Sequence, residues 1–244
     1  MIAPLINTRW LMIDSLRGLA VLLMMSYHFC FDLDYFGIIH QDFNDSVFWL
    51  TARAVILNLF LTLVGVSLVL AAHHSRRSYW RRIAQLLAAA LLVSAGSYAM
   101  FPHSFIFFGI LHCIVLASLV GRLLLRWMWV NLLLGIALTL LGVLYTNPWF
   151  NQPWWQWLGL MTYKPITEDY VPMLPWLGTV LIGMFLGKRL FQSSVPVMLL
   201  RLEQYLTATE RWLKLPLWLG RHSLAVYLLH QPILLGGLYL LVGR

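Results

Sequence analysis

Seven membrane-length apolar runs constrain the fold of this 244-residue sequence more than any single motif. An α-helix needs about 20 apolar residues to cross a bilayer, and none of the runs alternates strictly, as strands of a barrel would. The sequence therefore predicts an all-α, polytopic transmembrane bundle of about seven helices. The runs cover approximately residues 11–31, 47–72, 83–100, 105–125, 127–146, 173–191 and 216–241.

The composition supports a membrane protein and argues against nucleic-acid binding. The chain is 61% hydrophobic and 11% charged, with a mean hydropathy of +0.77, which the surface of a soluble domain of this size would not tolerate. The net charge is +8, but the basic residues form short clusters between the apolar runs. That pattern indicates membrane topology, so the lipid bilayer is the expected partner and nucleic acid is not.

The distribution of basic residues predicts a cytoplasmic N-terminus and an external C-terminus. With this orientation, fourteen of the seventeen Lys and Arg residues lie inside. The fourteen basic residues are Arg9, Arg17, Arg76, Arg77, Arg81, Arg82, Arg122, Arg126, Lys188, Arg189, Arg201, Arg211, Lys214 and Arg221.

Residues 1–10 lack the pattern of a secretory signal, so we expect the first run to be retained as an anchor.

Two segments outside the runs have distinctive compositions. Residues 191–215 alternate leucines with charged residues, which predicts an amphipathic segment on the cytoplasmic surface. The loop 146–172 carries four tryptophans, which suit either a lipid-interface belt or a platform for a sugar. Cys30 and Cys113 are interpreted as small buried hydrophobes. No repeat or linker is evident, so a single domain over residues 1–244 is predicted.

The stretch from Ile13 to His40 places ionisable groups at both ends of the first run. Asp14 and Arg17 lie near its start, and the eleven positions from Gly18 to His28 span roughly 16 Å of helix. The groups expected near the far face are His28, Asp32, Asp34 and His40. Because ionisable residues at membrane depth are costly, they point to a functional site.

Counting depth along the other runs places four more polar residues in the same layer. They are Arg53, Asn58, His112 and His230, on the second, fourth and seventh runs. Together with His28 they predict one outward-opening polar cavity that binds substrate. The alternatives are that Arg53 snorkels to the interface and that each histidine makes one bond between helices. No metal-site or phosphate-loop motif occurs, so no metal is expected.

Five motifs resemble the bacterial members of the heparan-alpha-glucosaminide N-acetyltransferase catalytic-domain family, over nearly the whole chain. They are Ile13-Asp14-Ser15-Leu16-Arg17-Gly18, His28-Phe29-x-Phe31-Asp32-Leu33, Phe107-Phe108-Gly109-Ile110-Leu111-His112, Asp169-Tyr170-x-Pro172-x-Leu174-Pro175-Trp176-x-Gly178 and Gly220-Arg221-His222-Ser223-Leu224-x-x-Tyr227-Leu228-Leu229-His230-Gln231-Pro232. The resemblance implies a bacterial inner-membrane acyltransferase that uses cytosolic acetyl-CoA to acylate an external sugar or glycan. Trp176 joins the expected substrate-binding residues.

The resemblance leaves the catalytic base open between two histidines. The catalytic histidine of the eukaryotic lysosomal member aligns with His40 after a one-residue gap, and its functional asparagine aligns with His28. The chain also lacks that member's luminal domain and extra helices. This implies an acyl-CoA groove that is either shallower or completed by the second copy of a homodimer.

Our leading hypothesis is that His28, oriented by Asp32, deprotonates the acceptor. His40 is the alternative base or a direct acyl carrier. The phosphates of coenzyme A would bind Arg17, Arg81, Arg82 and Arg221, although membrane topology alone also explains these arginines. Gly109 and Gly178 are candidates to line the path of the pantetheine arm. Enlarging Gly109 is then expected to weaken transfer while the protein stays folded and inserted.

Two other functions fit parts of the same pattern. A b-type haem protein could use two of His28, His112 and His230 as axial ligands. A transporter or flippase could use the cavity for passage without acyl chemistry. The sequence specifies neither the acceptor nor the acyl group.

Overall fold

The computed structural model describes residues 10–193 and 196–242, which form helices and turns without any β-strand. This confirms the all-α prediction. The helices are α1 (Leu11–Tyr35), α2 (Val47–Leu70), α3 (Arg76–Met100), α4 (Ile110–Leu124), α5 (Met128–Leu144), α6 (Met173–Lys188), α7 (Val197–Ala208), α8 (Lys214–Arg221) and α9 (Ser223–Val242). Residues 1–9, which include Arg9 and most of the segment used to argue against a secretory signal, lie outside the described residues.

Five of the described helices are long and apolar enough to cross a membrane, which agrees with a polytopic membrane protein. These five candidate spans correspond to α1, α2, α3, α6 and α9, while α4 and α5 are shorter apolar helices. The count of seven spans therefore stays a prediction. The last apolar run is divided, because α8 ends at Arg221 and α9 begins at Ser223.

Helix α3 begins well before its apolar run. The Ser75 side chain accepts a hydrogen bond from the Ser78 N–H at 3.2 Å, which caps the helix ahead of four arginines. Such a cap satisfies a backbone N–H that has no partner within the helix. The start of α3 is thus set by a polar residue that a hydropathy profile does not detect.

The chain divides into two compact units, and the first comprises Met1–Phe60 and Val195–Arg244. In this unit α1 packs against α7, α8 and α9. The Glu203 carboxylate on α7 accepts hydrogen bonds from the N–H groups of Leu11 at 2.6 Å and Met12 at 3.1 Å. A carboxylate suits this place because the first N–H groups of a helix lack partners within the helix and carry partial positive charge.

Two glycines allow α1 and α8 to approach closely. A Cβ atom at Gly18 would collide with the Pro216 carbonyl, and one at Gly220 would collide with the Asp14 carbonyl. Beside this contact, Val21 and Met24 of α1 pack against Leu219 of α8 in a buried cluster. Small residues at such a crossing allow the two backbones to make close van der Waals contact.

The second unit, Leu61–Ser194, contains the end of α2 and helices α3 to α6. Helix α6 packs along α5, where a Cβ atom on Gly178 would lie 2.5 Å from the Gly135 carbonyl oxygen. The loop 146–172 contains two short 3₁₀ turns, Pro148–Asn151 and Gln156–Leu158. The prediction of one domain over residues 1–244 is not tested by this division and stays a prediction.

We expect Gly220→Ala to destabilise the first unit by about 1–3 kcal/mol, because the added methyl forces α8 away from α1. The measurement is the thermal unfolding midpoint in detergent. Gly236→Ala on α9 is the matched control, since a Cβ atom there meets no heavy atom within 4 Å. Equal midpoints for Gly220→Ala and the wild type would contradict the proposed close contact.

Candidate active site

A hydrogen bond between buried side chains joins α1 to α9 in the first unit. Asp32 is 1% exposed, and its Oδ1 accepts a hydrogen bond from Gln231 Nε2 at 2.9 Å. Among the described residues, neither Asp32 Oδ2 nor Gln231 Oε1 has a hydrogen-bond partner. Sequence reasoning missed Gln231, although it directly follows the predicted residue His230. Each of these two hydrogen-bonded side chains therefore keeps one buried oxygen that can accept a further hydrogen bond.

His28 and His230 lie next to this hydrogen bond. His28 is one turn before Asp32 on α1, and its ring packs edge to face on the His230 ring, with centroids 5.0 Å apart. His230 is 6% exposed, while His28 is half-buried. The structure thus brings together His28, Asp32 and His230, three of the predicted site residues. Asp32 contacts Gln231 through Oδ1, and the expected orientation of His28 by Asp32 stays a prediction.

The backbone of α9 determines which nitrogen of His230 carries a proton. Its Nδ1 lies 2.6 Å from the Tyr227 carbonyl oxygen. A carbonyl can only accept, so Nδ1–H is the donor, and in the neutral ring Nε2 carries the lone pair. Nε2 is buried and has no hydrogen-bond partner in the described part of the chain. The site therefore presents a third acceptor atom beside His28.

The remaining predicted residues of the first unit lie at its helix surfaces and turns. His40 is exposed in the turn that follows α1. Arg53 is half-buried on α2, and the Asn58 amide is exposed and donates to the Ala54 carbonyl at 2.8 Å within the same helix. Their expected contacts with substrate stay predictions.

His112 lies in the second unit, where both of its ring nitrogens make contacts. The Gly109 N–H donates to Nδ1 at 3.2 Å, and Nε2 lies 3.3 Å from the Ser94 hydroxyl oxygen. That hydroxyl in turn donates to the Ile106 carbonyl at 2.6 Å. Because Nδ1 holds the start of α4 and Nε2 joins that helix to α3, the geometry gives His112 a structural role. Its binding of substrate stays a prediction.

Gly109 marks the start of α4 and has little space around it. The Ile110 N–H donates to Asp169 Oδ2 at 2.9 Å, and a Cβ atom on Gly109 would collide with that carboxylate oxygen. A leucine at this position would displace the capping carboxylate. The structure therefore does not support the expectation that Gly109→Leu leaves the fold unchanged.

The tryptophan-rich loop of the second unit is held by polar contacts. Asn151 Oδ1 accepts a hydrogen bond from the Thr162 N–H at 2.9 Å, and the Tyr170 hydroxyl donates to the Gln156 carbonyl at 2.6 Å. Burial raises the pKa of the Tyr170 phenol, so this hydroxyl stays protonated and keeps its role as a donor. Trp149 and Trp155 pack with ring centroids 4.9 Å apart. Trp176 is half-buried on α6 of the same unit.

Comparison with known families identifies the chain. The catalytic-domain model of heparan-alpha-glucosaminide N-acetyltransferase matches residues 9–232. The chain belongs to this family. No curated protein and no solved structure matches it significantly. Membership implies transmembrane acetyltransferase activity, and this family of N-acetyltransferases generally uses acetyl-CoA as the donor.

Two of the arginines that are expected to hold coenzyme A lie beside one carboxylate. Asp14 is 3% exposed and lies 3.1 Å from Arg17 and 3.6 Å from Arg221. These contacts thus place two guanidinium groups beside one buried carboxylate, and their binding of phosphate stays a prediction. Arg81 and Arg82 lie near the start of α3 in the second unit, and Arg81 is exposed.

We expect His112→Ala to lower the stability of this acetyltransferase by about 1–3 kcal/mol, because it removes the bonds to Gly109 and Ser94. Thermal unfolding in detergent measures the change. His103→Ala, at an exposed position in the preceding loop, is the control. If His112→Ala unfolds at the wild-type temperature, its ring does not hold the start of α4.

Proposed function

We propose that this protein is an integral membrane acyltransferase that moves an acetyl group from cytosolic acetyl-CoA to an extracytoplasmic carbohydrate. The observation that carries the proposal is the catalytic-domain match over residues 9–232. The polar group formed by His28, Asp32, His230 and Gln231 supports it, because it places a proton-accepting ring within an apolar helix pair.

His28 is the proposed general base. It accepts the proton of the acceptor hydroxyl or amine while the acyl carbon forms its bond to that oxygen or nitrogen and loses its bond to sulfur. The proton then passes from His28 to the departing thiolate, which restores the neutral ring. Asp32, one turn along α1, favours the imidazolium electrostatically, since opposite charges attract strongly where water is scarce.

The arginines at the other end of α1 supply the proposed binding site for coenzyme A. Arg17 and Arg221, which both lie beside Asp14, would hold its phosphates. Phosphate binding by Arg81 and Arg82, in the second unit, stays a separate prediction. Arg17 precedes His28 by eleven residues, roughly 16 Å of helix, which is similar to the length of an extended pantetheine arm. With a cytoplasmic N-terminus, the nucleotide stays inside and the thioester reaches the outer-half histidine.

The acceptor side of the proposal follows from the unused hydrogen-bonding capacity of this polar group. Asp32 Oδ2 and Gln231 Oε1 are buried acceptors without partners among the described residues. They suit a ligand that brings several donors, and the hydroxyl or amino groups of a sugar do so. Arg53 and Asn58, in the same unit, are the further proposed contacts, and a homodimer would complete the acyl-CoA groove. Substrate binding by Trp176, in the second unit, stays a separate prediction.

The contact between His28 and His230 disfavours the haem alternative for this pair. Axial histidines of one haem stand on opposite faces of the porphyrin. Here the two rings touch edge to face at a centroid distance of 5.0 Å, which leaves no space for a porphyrin between them. Release of acetyl groups from acetyl-CoA distinguishes the enzyme from a transporter or flippase.

We expect purified His28→Ala protein to lose roughly 10²- to 10⁴-fold in acetyl transfer, as when a general base is removed. The assay follows thiol release from acetyl-CoA with glucosamine as the acceptor. His40→Ala is the matched variant and should retain the wild-type rate, because His40 is exposed in a turn. Loss in His40→Ala alone would make His40 the base, and wild-type rates in both would exclude the proposed site.

A further inference from the structure

We propose that His230 is a positioning residue that fixes the tautomer and orientation of His28. This inference rests on the proposed function, because it assigns His230 a role in the proton transfer made by His28. In the proposed arrangement, one N–H of His28 donates to Nε2 of His230. The other nitrogen of His28 then carries the lone pair, and it takes the proton from the hydroxyl or amine of the sugar.

The first supporting observation is the fixed tautomer of His230. Its Nδ1–H is held by the Tyr227 carbonyl at 2.6 Å, so its Nε2 can only accept while the ring is neutral. The nitrogen is buried and has no hydrogen-bond partner within residues 10–193 and 196–242. A buried acceptor without a partner is costly, which favours a donor from a neighbouring group.

The second observation is that the neighbouring group is the ring of His28. Two imidazoles joined by one N–H···N bond have centroids about 5 Å apart, from a bond of about 3 Å and the ring radii. The observed centroid distance is 5.0 Å, with the rings inclined at 61°. In the proposed arrangement the His28 ring turns to direct an N–H at Nε2 of His230, whose own ring stays held by Tyr227. Catalytic hydrogen bonds commonly tighten only when substrate is bound.

The third observation is that Asp32 makes no hydrogen bond to His28 among the described residues, since its Oδ2 has no partner. Its Oδ1 accepts from Gln231, the residue that directly follows His230 on α9. The same bond holds this part of α9 against α1 and so keeps His230 beside His28. The resulting series of hydrogen bonds runs from the Tyr227 carbonyl through His230 to His28. In this series His230 performs the orienting role that a carboxylate performs in many acyl-transfer sites.

The test uses the full-length purified protein, with acetyl-CoA and glucosamine as substrates. We expect His230→Ala to lower kcat roughly 10- to 100-fold, as for other partners that orient a functional histidine, with little change in the KM for acetyl-CoA. His230→Gln should recover part of the rate, because its amide oxygen also accepts a hydrogen bond. His222→Ala is the control, since that ring contacts the Trp218 carbonyl at 2.9 Å but is exposed.

A double variant separates positioning from a merely structural role. If His230 acts through His28, adding His230→Ala to His28→Ala causes no further loss of rate, because residues that act as a unit are not additive. Three results would overturn the inference while the proposed function stands: a wild-type kcat in His230→Ala, a Gln variant no faster than the Ala variant, or an additive loss in the double variant. A wild-type rate in His28→Ala would instead overturn the proposed base.

Discussion

The main constraint on this protein is that polar groups inside an apolar helix bundle have no water to bind. Helices satisfy the backbone groups, but each buried polar side chain favours a partner of its own. On α1 two buried carboxylates each have at least one such partner. Asp14 pairs with Arg17 and Arg221, and Asp32 binds Gln231. These contacts connect α1 to α8 and α9, so the same interactions that hold the first unit together also place its functional groups.

The positions of the two carboxylates give α1 two chemically different ends. Asp14 and Asp32 are eighteen residues apart, roughly 27 Å along a straight helix, which is close to the thickness of the hydrocarbon core. One end gathers positive charge that suits the phosphates of a donor, and the other presents acceptor atoms that suit a sugar. A single helix can in this way relate a donor on one side of a membrane to an acceptor on the other.

Hydropathy and depth predicted much of this arrangement but not its side-chain pairing. Depth along a helix comes directly from residue number, so His28 and His230 could be placed in one layer. Depth does not specify which side-chain atoms pair, and Asp32 Oδ1 accepts its hydrogen bond from Gln231 on α9. Likewise, the predicted depth of His112 does not show that its ring contacts Gly109 at the start of α4 and Ser94 on α3. The division between α8 and α9 was also missed, because both helices lie within one apolar run.

The proposed residue roles depend on acyl transfer taking place beside His28, with the donor's phosphates held at the Asp14 end of α1. A structure of the protein with coenzyme A bound would show whether it does. The thiol sulfur is expected within roughly 6 Å of a His28 ring nitrogen, since the reacting atoms and the base are each separated by about 3 Å. The phosphates are expected on Arg17 and Arg221. A thiol beside His40 or His112, with phosphates far from these arginines, would contradict this placement.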